Sequence, residues 1–443
     1  MRTISRASRR GARFVVLLAT AALFLAATPS VEAFDAVPSE VVLGSTSARQ
    51  ALSFPSDAQT IATLYGSDAG RASLNQYGFL MSGEEKQEYD RRWKALEHMA
   101  RVRPSLEEST KWFSTIFLDH AAGGVVVVGS TDPDAVPRDQ LIADLGTDKF
   151  EVRRMDRTFD TLQADYEAIS AQVTKLGRVG LSSVVLDETT NAVRVSSRLA
   201  ESVPEVRAGL AGVPDYVQFE VAEIQTASAV AGGDSLTTCS AGAQVYADTA
   251  FGRLYYTLTA AHCPNAQTHR WSGIHGHNLP FIAERGAPFG VAVADVQIHF
   301  AGTNIGAVRN YSNGNTTGVT AESTFGDPAD QVGALVCKVG RVTQLTCATL
   351  QSTNQTVFDT DSGITYIQQR LVYCAGCSGP WVQPGDSGGV VYTPTIYGNW
   401  LSGGVYGFLT GSGGYYGTYA HIQNEHAILA QAGAPFVVRR IWE

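Results

Sequence analysis

Two stretches of the chain, Leu258-Thr259-Ala260-Ala261-His262-Cys263 and Gly385-Asp386-Ser387-Gly388-Gly389, carry the residues that decide its fold class. A serine hydroxyl is a poor nucleophile at neutral pH, so it needs an imidazole to take its proton and a buried carboxylate to orient that imidazole. Between the two stretches, the apolar run 291–298 contains a single carboxylate, Asp295. The sequence therefore predicts a triad of His262, Asp295 and Ser387.

The chain order of these three residues separates two hydrolase folds. Residues 385–389 also satisfy the pattern G-x-S-x-G of the α/β-hydrolase nucleophile elbow, in which an acid and then a histidine follow the serine. After Ser387 the chain contains no Asp, and its only acids are Glu425 and Glu443. The elbow interpretation therefore fails on chain order and on space.

Other carboxylates compete with Asp295 for the role of orienter. Asp248, Asp327 and Asp330 are the rivals, and the sequence places all three in polar turns that favour exposure to solvent. Asp295 is preferred because it is set into an apolar, strand-like run.

The N-terminus predicts export. Arginines up to Arg13 precede an apolar run, Phe14 to Ala27, which is shorter than the span of about 20 residues that a membrane helix needs. This pattern is typical of a signal peptide, and the small residues around Val31-Glu32-Ala33 predict cleavage near Ala33. Arg9-Arg10 leaves a twin-arginine signal open, although Gly11-Ala12 follows where that signal prefers apolar residues. We expect a secreted, extracellular protein.

Charge and cysteine content narrow the partners. The net charge of −9 is spread along the chain without a basic tract, which argues against nucleic acid and membrane surfaces. All six cysteines follow residue 238, which in an exported chain indicates three disulfides in one domain. A zinc site at Cys374-Ala375-Gly376-Cys377 would need a second ligand pair, and His275 and His277 are interpreted as surface residues. We expect no metal and no cofactor.

The composition changes near residue 230, where a charged, cysteine-free part meets a part rich in Gly, Thr, Ser and Tyr. In the first part, Ser82-Gly83-Glu84-Glu85 is a capping box that opens a helix with Tyr89, Trp93, Leu96 and Met99 on one face. A second helix is predicted from Phe159 to Val173, a buried strand over 123–129, and a hairpin over 184–195. Residues 34–229 therefore form an α+β domain.

The second part, residues 230–443, has short apolar runs separated by Gly, Asn, Asp and Ser turns, a pattern typical of an all-β barrel or sandwich. Only its end, from about His421 to Ala432, has a helical pattern.

This second part resembles the secreted bacterial proteases of the streptogrisin and α-lytic type, within the chymotrypsin-like serine proteases. The resemblance is carried by Cys239-Ser240-Ala241-Gly242 with the histidine motif, by Cys337-Lys338-Val339-Gly340-Arg341-Val342-Thr343 with Cys347, by the serine motif, and by Gly417-Thr418-Tyr419-Ala420-His421-Ile422. It implies an all-β fold of two six-stranded antiparallel barrels. It also implies disulfides Cys239–Cys263 and Cys337–Cys347, which leave Cys374 to pair with Cys377.

The resemblance further implies the parts of the site. His262 and Asp295 would come from the first barrel and Ser387 from the second, and the amides of Gly385 and Ser387 would form the oxyanion hole. Asp386 would pair with a new N-terminal ammonium or be held internally. The stretch 402–414 would hold an extended substrate, although it lacks the cysteine that the family commonly has there. Trp381 stands six positions before Ser387, where a trypsin-like enzyme carries an acid, so an uncharged, apolar preference is expected.

The α+β domain resembles, more loosely, the propeptides of this protease group. We expect a monomeric serine endopeptidase made as a zymogen, whose partners are protein or peptide substrates and its own propeptide, released by cleavage between Ala222 and Gly233. Residues 1–33 would be the signal peptide. A permanent binding domain in place of the propeptide, and a non-catalytic relative that binds peptides, are the alternatives.

Overall fold

The computed structural model describes residues 37–109, 111–210, 212–226, 239–240, 242–249, 252–260, 263, 281–285, 291–292, 294, 296–300, 307–309, 316–340, 342–359, 363–374, 379–411, 414–430 and 437–438. Within these residues, no helix is both long enough and apolar enough to cross a lipid bilayer.

Most of the helices described lie in the first half of the chain. They are α1 Ser39–Ala51, α2 Ala58–Gly66, α3 Asp68–Tyr77, α4 Gly83–Ser109, α5 Arg138–Leu145, α6 Phe159–Ser170, α7 Val173–Leu176, α8 Val203–Gly209 and α9 Ile422–Ala430. Short 3₁₀ turns occur at Pro133–Ala135, Gly177–Val179, Ala200–Ser202 and Pro328–Asp330.

Strands occur in both halves of the described chain, and most of them lie in the second half. They are β1 Phe113–Asp119, β2 Val125–Ser130, β3 Phe150–Arg154, β4 Leu181–Asp187, β5 Ala192–Ser197, β6 Gln218–Val221, β7 Glu223–Thr226, β8 Gln244–Thr249, β9 Gly252–Thr259, β10 Phe281–Arg285, β11 Val291–Ala292, β12 Val296–Phe300, β13 Ala307–Arg309, β14 Thr316–Glu322, β15 Leu335–Gly340, β16 Gln344–Phe358, β17 Thr365–Cys374, β18 Val390–Thr395, β19 Gly398–Gly411, β20 Gly414–His421 and β21 Val437–Val438.

Local signals read from the sequence agree with these elements. The capping box is confirmed, because the Ser82 amide donates to Glu85 Oε2 (2.9 Å) and the Glu85 amide donates to Ser82 Oγ (3.1 Å). The predicted hairpin is also confirmed, since β4 and β5 pair antiparallel with Val184 opposite Val195. The second predicted helix is α6, which ends at Ser170 and is followed by the short α7.

Six strands of the second half close into a ring. Their order is β17, β20, β19, β18, β15 and β16, and β16 pairs again with β17. Every pairing in this ring is antiparallel. Closure leaves each strand with a partner on both sides, so the ring has no free edges along its closed part. The ring is one antiparallel six-stranded barrel, and it carries Ser387.

A second sheet contains the strands that flank the other predicted site residues. Its order is β10, β12, β9, β8 and β21 in the described residues, and all of its pairings are antiparallel. Its closure into a second six-stranded barrel stays a prediction.

The first half of the chain is joined to the ring by strand pairing. Strand β4 pairs antiparallel with β16, with Val185 opposite Gln355, so that β4, β5 and β6 extend the barrel sheet outward. Strands β1, β2 and β3 form a separate sheet. One hydrophobic cluster contains Leu52, Tyr77 and Phe79 of the first half together with Leu345 and Tyr392 of the ring. The two halves therefore share a core.

Candidate active site

The turn that carries Ser387 requires glycine. Gly385 has φ of +105° and Gly388 has φ of +78°, in the left-handed region that side chains disfavour. A Cβ atom on Gly388 would lie 2.3 Å from Thr259 Oγ1 and 2.4 Å from the Ser240 carbonyl oxygen. The motif Gly-Asp-Ser-Gly-Gly thus permits a backbone turn packed closely against the sheet that contains β9.

Hydrogen bonds join this turn to the segment that leads to the predicted base. The Ser240 amide donates to the Ser387 carbonyl at 2.6 Å, and Ser240 Oγ donates to the Gly385 carbonyl at 3.2 Å. Thr259 Oγ1, at the end of β9, donates to the Ser240 carbonyl at 2.6 Å. Ser240 therefore connects the Ser387 turn to the strand that ends three residues before His262.

His262 and Asp295 themselves lie outside the described residues. Their neighbours Ala260, Ala294 and Val296 are all buried. Strand β12 starts directly after Asp295 and pairs with β9, so that Gln297 lies opposite Thr259. The chain positions that flank the three predicted residues are thus brought to one region, and the geometry of the triad stays a prediction.

The disulfides implied by the family resemblance are present. Cys239 is bonded to Cys263, and Cys337 is bonded to Cys347. Cys374 is disulfide-bonded as well, whereas Cys377, its predicted partner, lies outside the described residues. The first bridge fixes the segment of Ser240 beside the residue that follows His262.

Asp386 is held internally in the uncleaved chain, which is one of the two alternatives left by the sequence. Its carboxylate accepts from Lys338 Nζ at 2.9 Å, from the amides of Val342 (2.9 Å) and Gln383 (3.0 Å), and from Thr343 Oγ1 at 2.5 Å. Burial raises the pKa of Asp386, but the Lys338 ammonium and these hydrogen bonds outweigh it and hold the pKa below its ordinary value. Asp386 is therefore a carboxylate with its cation supplied by β15.

Sequence reasoning missed Lys338 as the partner of Asp386 in the candidate site. A signal was present, because Lys338 is the one charged residue in the otherwise apolar strand β15 and is fully buried. A buried lysine is rare unless it is paired, so its position in the strand pattern predicts an internal carboxylate partner.

Strand β19 contacts the serine turn at Val405 and pairs with strand β7 a few residues further along. The Gly388 amide donates to the Val405 carbonyl (2.9 Å), and the Val405 amide donates to the Gly389 carbonyl (2.8 Å). Two residues further along, Gly407 lies opposite Thr226 of β7, and Thr410 lies opposite Glu223. The stretch expected to hold a substrate is thus paired antiparallel with a segment of the chain itself.

Trp381 lies between the serine turn and strand β20. Its side chain is 1% exposed, and a Cβ atom on Gly417 would lie 1.9 Å from the Cε3 atom of the indole. Its carbonyl accepts from Thr346 Oγ1 at 2.6 Å and lies 3.3 Å from Thr343 Oγ1, whose single proton is donated to Asp386. The indole is therefore fixed close to the support of the nucleophile turn.

The prediction that the rival carboxylates lie in solvated turns was wrong for Asp330 and Asp248, whereas Asp327 does lie in a turn and is partly exposed. Asp330 is 4% exposed and pairs with Arg370 at 2.6 Å, because the guanidinium satisfies a carboxylate that burial would otherwise penalise. Asp327 caps the 3₁₀ turn Pro328–Asp330, and burial raises its pKa to about 6. Asp248 lies in strand β8 opposite Arg253. All three have structural positions that sequence patterns alone did not reveal.

The described residues contain no group of three His, Cys, Asp or Glu side chains placed to bind a metal ion. His275 and His277 lie outside these residues.

Comparison with models of known protein families finds no match, and comparison with curated protein sequences finds none either. Solved structures of serine proteases do align with about half of the chain. Thermobifida fusca Protease A is 23% identical, over 45% of this chain and 92% of its own, with a TM-score of 0.33. The Nocardiopsis protease is 24% identical, over 47% and 97%, and the Cellulomonas bogoriensis chymotrypsin is 19% identical, over 48% and 98%, both with TM-scores of 0.33.

Proposed function

We propose that the chain is the precursor of a secreted serine endopeptidase whose nucleophile is Ser387. His262 takes the proton of the Ser387 hydroxyl as its oxygen attacks the peptide carbonyl, and Asp295 orients the imidazole. The amides of Gly385 and Ser387 stabilise the oxyanion, and His262 then protonates the leaving amine. A water molecule, deprotonated by His262, then attacks the acyl carbonyl and releases the acyl group from Ser387.

The observation that carries this proposal is the connection of the Ser387 turn to the histidine segment through Ser240. The residue before Ser387 is Asp386, which is buried and ion-paired with Lys338 (Nζ to Oδ2, 2.9 Å). A serine that only formed part of a structural turn would not need such a neighbour. Here the Ser387 backbone is fixed on one side by Ser240 and on the other by the hydrogen-bonded Asp386. Fixed amides are what oxyanion stabilisation requires, because the donors must be in place before charge develops.

We propose that residues 34–229 are a propeptide that keeps the enzyme inactive. The support is the pairing of β7 with β19, since a segment bound at that edge excludes a substrate from the same hydrogen bonds. The pairing of β4 with β16 gives this region a second, independent attachment. We place the cleavage between Ala222 and Gly233, where β7 ends at Thr226 beside the serine turn.

The decisive experiment labels the secreted protein with a fluorophosphonate probe and maps the modified residue by mass spectrometry. Modification of Ser387, lost in the Ser387→Ala and His262→Ala variants, is expected. Peptide binding without labelling, and without hydrolysis, would instead favour the non-catalytic alternative. Sequencing the N-terminus of the secreted protein separates a propeptide from a permanent domain, because only removal of a propeptide gives a new terminus between 222 and 233.

We also propose an uncharged, apolar specificity pocket. Its support is the buried indole of Trp381 at the position where a trypsin-like enzyme carries an acid. A charged substrate side chain would lose its hydration there without gaining an ionic partner.

A further inference from the structure

Three neighbouring strands form a continuous surface next to the serine turn. Gln225 of β7 lies opposite Phe408 of β19, and Phe408 lies opposite Gly417 of β20. Residues directly opposite each other in an antiparallel sheet project to the same face. Position 417 therefore belongs to the same face as position 225.

Trp381 covers this face at Gly417. The absence of a side chain at Gly417 lets the indole come within 1.9 Å of where a Cβ atom would be placed. The indole belongs to an apolar cluster that includes Val382, Val405 and Tyr419. The indole of Trp381, whose backbone carbonyl accepts from Thr346, thus fills the space next to Gly417.

The path of an extended substrate follows from strand β7. Thr226 lies opposite Gly407, and Val405, two residues earlier in β19, exchanges hydrogen bonds with the glycines that follow Ser387. Position 405 is already paired with the serine turn, so only position 406 is left between it and Gly407. A chain that runs along β19 in the direction of β7 therefore reaches the serine turn one residue after the position of Thr226. A substrate bound in this way would present the carbonyl of the residue at that next position to the Ser387 turn.

Strand periodicity then decides where the side chain of that residue goes. Side chains alternate between the two faces of a strand, so the residue one after the position of Thr226 shares a face with the position of Gln225. This is the face that Trp381 covers. A substrate bound along β19 would therefore direct the side chain before the scissile bond towards the indole of Trp381, which would form the floor of the primary specificity pocket.

Resting on the proposed function, we infer that Trp381 makes the pocket shallow and restricts cleavage to bonds that follow small, uncharged residues, above all Ala and Ser. The sequence after β7 is Ala227-Ser228-Ala229, which lies outside the described residues and gives the chain a small residue directly after Thr226. We assign the bond Ala227–Ser228 as the first bond cleaved. Its hydrolysis consumes one water and leaves a carboxylate on Ala227 and an ammonium on Ser228.

The test uses mature enzyme whose active sites have been counted with the fluorophosphonate. Synthetic peptides with the sequence of residues 220–233 carry Ala, Ser, Leu, Phe, Lys or Glu at position 227. The Ala and Ser peptides are expected to be cut after position 227, and the others to show kcat/KM lower by roughly 100-fold or more at that bond. Cleavage of the Phe, Leu, Lys or Glu peptide within tenfold of the Ala peptide would overturn the inference. An enzyme that neither labels nor cuts any peptide would instead overturn the proposed function.

Variants at Trp381 give a second, independent readout. Trp381→Ala and the less disruptive Trp381→Leu are expected to raise the ratio of kcat/KM for the Phe peptide to that for the Ala peptide by at least about 10-fold. Each rate is divided by the number of titrated active sites, so a loss of folded protein does not affect the ratio. Trp400→Leu is the matched control, since Trp400 packs on Trp93 with ring centroids 5.6 Å apart, and it should leave the ratio unchanged. An unchanged ratio in both Trp381 variants would refute the role of the indole.

Discussion

Lys338 Nζ lies 2.9 Å from Asp386 Oδ2, and both side chains are fully buried. The pair joins strand β15 to the residue directly before Ser387. Because the cation comes from within the chain, the nucleophile turn has its counter-ion before any cleavage takes place. In the proposed zymogen, inhibition would therefore depend on occupation of the substrate edge by β7 rather than on an unformed turn.

Replacing Lys338 by Met is expected to destabilise the protein by about 3–5 kcal/mol, since it leaves the Asp386 carboxylate buried without its cation. Displacement of the turn would also lower kcat by roughly 10²-fold or more, as loss of an oxyanion donor does. Urea unfolding and kcat per titrated site measure the two effects. Lys338→Arg keeps the charge and should retain more activity, while Lys94→Met removes an exposed lysine as a control. Normal stability and rate in Lys338→Met would contradict the role of the pair.

The sequence predicted the features that depend on neighbouring residues. The capping box at Ser82, the hairpin around Val184 and Val195, and the serine turn all follow from local backbone and hydrogen-bonding preferences. Such preferences act within a few residues, so a sequence pattern records them directly.

Features that depend on distant pairing were not predicted. The contact of β4 with β16 joins Val185 to Gln355, and that of β7 with β19 joins Thr226 to Gly407. The sequence of neither strand indicates which strand it pairs with, because backbone pairing is largely independent of side-chain identity. The burial of Asp330 was missed for a similar reason, since its partner Arg370 is remote in sequence.

His120 makes the interface between the two halves sensitive to acid. Its Nε2 donates to the Gly333 carbonyl at 2.6 Å, and its Nδ1 accepts from Arg92 at 2.8 Å, since a guanidinium can only donate. Burial, and then the charge of Arg92, lower the pKa of His120 from 6.5 to about 4, although Asp119 and Glu88 act in the opposite direction. The neutral ring is thus the form that fits the interface.

Because the folded-state pKa is below the ordinary value, the stability of the interface is full above pH 6.5 and falls as the pH decreases towards 4. The loss at pH 4 is about 3 kcal/mol. Urea unfolding of the uncleaved Ser387→Ala precursor at pH 7 and pH 4 measures it. His120→Gln can keep both hydrogen bonds without titrating, so its stability should change less between the two pH values. His98→Gln, on the outer side of α4, is the control. Equal pH dependence in His120→Gln and the parent would contradict the prediction.

Helix α1 is attached to the disulfide hairpin of the barrel through Ser47. The Cys347 amide donates to Ser47 Oγ at 3.0 Å, and Ser47 Oγ donates to the Gly44 carbonyl at 3.1 Å. Ser47→Ala leaves the buried amide without this acceptor, at an expected cost of about 1–3 kcal/mol in precursor stability.

Ser105→Ala is a close match for Ser47→Ala, because Ser105 Oγ also donates to the carbonyl three residues earlier (2.8 Å) but is exposed. It should change the free energy of unfolding by less than about 0.5 kcal/mol. Both variants are compared in the Ser387→Ala precursor by urea unfolding. Equal effects of the two substitutions would show that the contact between α1 and Cys347 contributes nothing to stability.

The shared core and the two strand pairings predict that residues 230–443 depend on the first half to fold. A barrel built from non-local antiparallel pairs forms slowly, and β4 supplies a ready partner for β16. Expression of residues 230–443 alone should give little protein that labels with fluorophosphonate, and co-expression of residues 34–229 as a separate chain should restore labelled enzyme.

A fragment that ends at residue 222 lacks β7, so it should still restore folding but inhibit the enzyme more weakly than residues 34–229. Inhibition constants for the two fragments measure that difference. Full activity of residues 230–443 expressed alone would exclude the role in folding, and equal inhibition by the two fragments would exclude β7 as the inhibitory segment.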